Sequence, residues 1–99
     1  MNKPIEYEVK CVITERDVDG SDRIIQIGGN DWQEKLSDVL LKIGIKSSSY
    51  YTMIDGQRAD ILVVRPAIGD PYLRTSKDGH HTNNLLRLRP CANSLSTGM

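Results

Sequence analysis

Apolar and polar positions alternate over residues 5–14. Tyr7, Val9, Cys11 and Ile13 share one face, and Glu6, Glu8 and Lys10 share the other. Alternation with period two marks a half-buried strand, and Val12 is the one apolar residue on its polar side. Residues 15–22 are polar and contain Asp19-Gly20, which predicts a turn. Residues 24–27 then read as a second short strand, stopped by Gly28-Gly29. Together they predict a hairpin with a wide, acidic loop.

The pattern changes after Asp31. Trp32, Leu36, Val39, Leu40 and Ile43 fall on one stripe of a 3.6-residue period, which predicts an amphipathic helix ended by Gly44. Asp31 and Glu34 have the spacing of a capping box, in which each carboxylate takes an amide left unbonded by the first turn. Burying the stripe contributes on the order of 10 kcal/mol gross, most of it offset by ordering entropy. Trp32, the only tryptophan, is expected to anchor the core rather than to stack on a ligand. The two glycines ahead of the helix match neither the dinucleotide fingerprint nor the P-loop, so a tight strand-to-helix turn is the expected reading.

Alternation returns in the second half. Residues 50–54 and 58–64 flank Asp55-Gly56, a two-residue hairpin signal because both positions tolerate positive φ. Residues 58–64 are apolar on both faces, as in a central strand, and Pro66 ends them. Residues 72–75 predict a further short strand. Residues 83–88 predict another, with Leu86 and Leu88 on one face. The order β-β-α-β-β plus one or two short strands implies an α+β fold, an antiparallel or mixed sheet with one helix covering one face. The other face is expected to be solvated or used as an interface, with Val12, Leu62 and Val64 as candidates to line it.

Length and charge narrow the function. Ninety-nine residues suffice for one domain, expected over residues 1–90, with residues 91–99 as a flexible tail. Thirteen basic residues balance thirteen acidic ones, so no bulk positive field favours nucleic acid or anionic lipid. No apolar run is long enough to span a bilayer, and the first residues do not read as a secretory signal. Two cysteines do not make a disulfide scaffold, so a reduced, cytoplasmic setting is the default. The balance is uneven along the chain. The segment through Lys46 carries −2 and the remainder +2, and five of the six later cations are arginines: Arg58, Arg65, Arg74, Arg87 and Arg89.

Three blocks of residues resemble the bacterial domain-of-unknown-function 3892 family. They are Tyr7-Glu8-Val9-Lys10-Cys11 with Arg23-Ile24, Ile27-Gly28-Gly29 and Trp32; Asp60-Ile61-Leu62-Val63-Val64; and residues 72–79 with Asn83-Asn84-Leu85-Leu86-Arg87-Leu88 and Cys91. Arg89 stands before Pro90 where the family pattern has proline directly after the last leucine. The resemblance implies one compact domain and no particular reaction. It also implies that Cys11 and Cys91 lie close together, as a disulfide or as a thiol pair.

Candidate chemistry is sparse. Asp17, Asp19, Ser21 and Asp22 have the composition of a calcium loop without its terminal glutamate or flanking helices. His80 and His81 are adjacent and point apart in extended chain, so no metal set and no cofactor is expected. No nucleophile elbow, paired-cysteine motif or metallohydrolase helix is present, and the chain reads as a non-enzyme. The polar segment of residues 69–88 offers Tyr72, Arg74, Thr75, Lys77, Asp78, His80, Asn83, Asn84 and Arg87 as donors and acceptors for a ligand or partner. The expected function is therefore a small binding domain that captures a protein partner or a small anionic, nucleotide-like ligand, with inhibition of a host defence system by a phage or mobile element as a specific version. The alternative is an accessory protein that binds nucleic acid through arginines and the stacking rings of Tyr50, Tyr51 and Tyr72. Pairing of an open sheet face or edge with a second copy would make a homo-oligomer.

Overall fold

The first alternating stretch is interrupted at Val9-Lys10. Its two halves become β1 (Ile5–Glu8) and β2 (Cys11–Arg16), which enter different sheets. The computed structural model describes residues 3–76 and 84–92. Further elements are β3 (Asp22–Gly28), β4 (Gln33–Lys35), α1 (Leu36–Gly44), β5 (Ser48–Ile54), β6 (Gln57–Val64), β7 (Tyr72–Thr75), a 3₁₀ turn (Asn84–Arg87) and β8 (Arg89–Pro90). One sheet has the order β1-β5-β6-β7 and the other β4-β3-β2-β8, each with one parallel pair (β1 with β5, β2 with β8). The class is α+β as expected, with two mixed sheets in place of one.

The interruption leaves backbone groups that the ladders no longer serve. The Val9 N–H donates to the Tyr51 carbonyl at 2.7 Å and the Lys10 N–H to the Gly28 carbonyl at 2.8 Å. The Val9 carbonyl accepts from the buried Thr52 hydroxyl at 2.9 Å. A buried carbonyl without a partner would cost about 1–3 kcal/mol, so Thr52 makes the crossing between sheets affordable. Beyond the crossing, Val12 points into the core, and the expectation that it lines an open face is corrected. Leu62 does lie exposed on β6, and Val64 is half-buried.

The helix begins later than its stripe predicts. Residues 33–35 pair with β3 instead (Gln26↔Lys35, Ile27↔Glu34, Gly28↔Gln33), and Lys35 caps α1 without a side-chain bond. The Asp31–Glu34 capping box is therefore absent. Glu34 accepts from the Tyr50 hydroxyl at 2.6 Å and from the Lys42 ammonium. Burial pushes the Glu34 carboxyl up, but these bonds outweigh it and hold the group below its ordinary range. Val39 is fully buried, and Leu36, Leu40 and Ile43 pack on a core drawn from both sheets, including Val9, Ile27, Tyr50, Ile61 and Leu73. Trp32 joins that core beside Tyr7 (5.3 Å between ring centroids) and Tyr50 (6.0 Å).

The second half follows its pattern closely. Asp55 (φ 53°) and Gly56 (φ 77°) form the turn between β5 and β6, and β6 is central between β5 and β7. The last predicted strand is instead a 3₁₀ turn, in which Leu85 is buried, Leu86 exposed and Leu88 half-buried. A three-residue period places Leu85 and Leu88 together where alternation would have paired Leu86 with Leu88. Cys91 and Ala92 also belong to the packed body. The Cys91 N–H donates to the Val12 carbonyl at 3.0 Å, and Cys11 and Cys91 are joined as a disulfide. The domain boundary thus lies beyond residue 90, and the expected tail over 93–99 falls outside the described residues.

Candidate functional site

The turn between β2 and β3 is built by its polar residues. The Asp17 N–H donates to the Ser21 carbonyl at 2.8 Å, and the Gly20 N–H to the Asp17 carbonyl at 2.9 Å. Gly20 has φ +88°, which an L side chain rarely adopts. Asp19 Oδ1 accepts from the Ser21 hydroxyl (2.7 Å) and the Ser21 N–H (2.9 Å), and these bonds hold its carboxyl below the ordinary range. Val18 takes no part in this network and is fully exposed, at 107% of its reference area.

Across from this turn run Gly69, Asp70 and Pro71, followed by Tyr72 and Leu73 of β7, with Leu86 from the 3₁₀ turn beside them. The two sides enclose a cleft of about 580 Å³ whose walls are Val18, Ile24, Tyr72, Leu73 and Leu86. Its charged lining is four aspartates, Asp17, Asp19, Asp22 and Asp70, against one arginine, Arg23. Arg23 lies 3.8 Å from Asp70, and Arg16 lies 3.8 Å from Asp22. Among the described residues, Asp17 and Asp19 make no ion pair.

The residues singled out from sequence are dispersed by the fold. Tyr72 stands exposed on the cleft rim. Thr75 is fully buried and faces Ile61 across the ladder, so it is part of the core and not a contact for a ligand from solvent. Arg74 is half-buried, and its Nε donates to the Thr75 carbonyl at 3.3 Å. Arg87 is 3.5 Å from Asp55, at the far hairpin. Asn84 opens the 3₁₀ turn, and its side chain lies outside the described residues, as do Lys77, Asp78, His80 and Asn83. The three tyrosines considered for base stacking also differ in exposure, Tyr72 alone among them being exposed. Tyr50 is buried with its hydroxyl on Glu34, and Tyr51 is covered by the Arg58 guanidinium 4.2 Å from its ring centroid.

Of the residues that line this cleft, the sequence singles out Asp17, Asp19 and Asp22 only for their calcium-loop composition, and it does not single out Val18 or Leu86 as contacts for a partner. The available signal was a single valine inside an acidic turn that has no need of one.

A second cavity, of about 560 Å³, lies at the opposite end of β2 beside Cys11, Trp32, Gln33 and Arg89. Here two polar side chains, Gln26 and Gln33, tie segments of the chain together. Gln26 Nε2 donates to Gln33 Oε1 at 2.5 Å, and Gln33 Nε2 to the Ala92 carbonyl at 2.9 Å. The Trp32 indole lies so close over Gly29 that a Cβ there would sit 2.2 Å from Nε1. Among the described residues no group of three or more His, Cys, Asp and Glu is placed to hold a metal ion. No helix among them is long and apolar enough to cross a membrane.

A family model described as "Protein of unknown function (DUF3892)" matches residues 8–89. No curated protein and no solved structure matches the chain.

Proposed function

Taking as premise that the chain belongs to the DUF3892 family, we propose that it is a non-enzymatic binding domain that captures a protein partner in the cleft between the β2–β3 turn and the start of β7. The observation that carries this reading is Val18, an apolar side chain fully exposed in a turn whose conformation its polar neighbours already determine. Covering such a side chain contributes about 1.5–3 kcal/mol, and Tyr72 and Leu86 extend the apolar surface beside it. Asp19, held ionised by Ser21, supplies fixed charge and not an exchangeable proton, which suits recognition better than acid–base chemistry.

The four aspartates weigh against a small anionic or nucleotide-like ligand here. Burial of Tyr50 and the cover over Tyr51 weigh against stacking of nucleic acid bases. Inhibition of a host defence protein by a phage or mobile element remains one case of the proposed function. The Cys11–Cys91 bond favours an oxidising compartment over the cytoplasmic setting expected from sequence, because structural disulfides persist mainly in such compartments.

Affinity purification from the source cells tests the capture reading with three baits: the unaltered chain, Val18→Ser with Tyr72→Ser, and Leu41→Ser as a distant exposed control. A protein retained by the first and third baits and lost from the second is expected. The same proteins on all three baits would overturn the assignment of the cleft.

A further inference from the structure

The charge around the cleft says what kind of segment it suits. Val18 is flanked in sequence by Asp17 and Asp19, so the turn presents acid, apolar and acid in succession. Asp22 and Asp70 each have an arginine nearby, whereas Asp17 and Asp19 have none among the described residues. Neither of these two carboxylates is needed to neutralise a cation of the fold. Ser21 fixes the Asp19 carboxyl from one side, through Oδ1 alone, and leaves Oδ2 to accept from elsewhere.

We propose that this cleft takes a cationic segment of its partner, a short stretch in which apolar side chains alternate with lysine or arginine. The inference rests on the reading of the cleft as the capture site. An apolar side chain of the segment meets Val18, Tyr72 and Leu86, while its cations approach Asp17 and Asp19 at the rim. Rim charges of this kind set register, encounter rate and salt dependence more than raw affinity. The Debye length falls from about 10 Å at 0.1 M salt to about 3 Å at 1 M, so added salt must weaken the complex.

The test is amide NMR titration of the full chain with blocked pentapeptides Lys-Leu-Lys-Leu-Lys, Glu-Leu-Glu-Leu-Glu and Lys-Ser-Lys-Ser-Lys, and with calcium chloride. The first peptide is expected to shift amides of residues 17–22, Gly69, Asp70, Tyr72 and Leu73, with affinity falling at least fivefold between low and high salt. Asp17→Asn with Asp19→Asn, which keeps the Asx-type acceptor, is expected to weaken it about tenfold while leaving the remaining spectrum unchanged. Equal shifts at the cleft from the acidic peptide would overturn the cationic assignment and leave the cleft as a protein site. Shifts from calcium and from no peptide would assign the turn to a metal ion and overturn the proposal. Absence of cleft shifts with every probe would overturn both this inference and the reading it rests on.

Discussion

The two ends of β2 carry cavities of nearly equal size and opposite construction. At its start, the cavity beside Cys11 is bounded by a disulfide, by the Gln26–Gln33–Ala92 relay and by an indole seated on Gly29. At its finish, the cleft beyond Arg16 is bounded by turns, and its most exposed apolar residue contributes nothing to their conformation. Volume therefore does not separate a binding site from a structural one in this chain. What separates them is an apolar side chain, Val18, left fully exposed at one end only. At the first end Gln26 donates to Gln33, which in turn donates to the Ala92 carbonyl. At the second, Val18 is fully exposed, Asp17 makes no ion pair among the described residues, and Asp19 engages Ser21 through Oδ1 alone.

The contrast is broken most strongly by Cys91→Ser. A bridge across 80 residues constrains the unfolded chain, and its loss is expected to cost about 3–5 kcal/mol, read as a lower denaturation midpoint that reductant no longer shifts. Cleft binding, measured with the same sample while still folded, should change little. If it falls in step with stability, the two ends are not separate.

A smaller effect is expected at Glu34, which joins the helix to β5 through Lys42 and Tyr50. Its carboxyl is held below its ordinary value, so its stabilising contribution is full above the unfolded-state value and is lost as pH falls through the folded one. Glu34→Gln should cost about 1–2 kcal/mol at neutral pH and flatten the acid limb of a stability–pH curve. An unchanged acid limb would show that the Lys42 and Tyr50 bonds do not govern it. The smallest effect belongs to Val18→Ser, within about 0.5 kcal/mol of the unaltered chain by thermal unfolding, because the turn does not depend on that side chain. A large loss there would return Val18 to the fold and remove it from the site.

Local pattern made much of this architecture readable. Alternation located β2, and short apolar runs bounded by turn residues located β3, β5 and β6 with the Asp55-Gly56 turn, because each signal depends on neighbours in sequence. The features it hid depend on distant partners. The β1–β2 crossing is invisible because alternation continues through Val9, and only Thr52, 43 positions away, satisfies the carbonyl there. Glu34 has the spacing of a cap, yet Tyr50 and Lys42 offer it stronger company than an amide at Asp31. Thr75 looks polar and available in sequence and is buried by strand pairing with Ile61. The site was the least legible part. The sequence offers its densest donors and acceptors after Gly69, whereas the proposed site centres on one valine between two aspartates before Gly20.

The bridge between Cys11 and Cys91 also changes the molecule's connectivity. Residues 11–91 form a covalent ring, and both exposed turns that border the cleft lie on it. A protease that cuts once at the Val18 turn opens the ring without dividing the chain. Both pieces remain one molecule until a thiol is added, so the intact mass rises by one water, and a reducing gel reveals the nick that a non-reducing gel conceals.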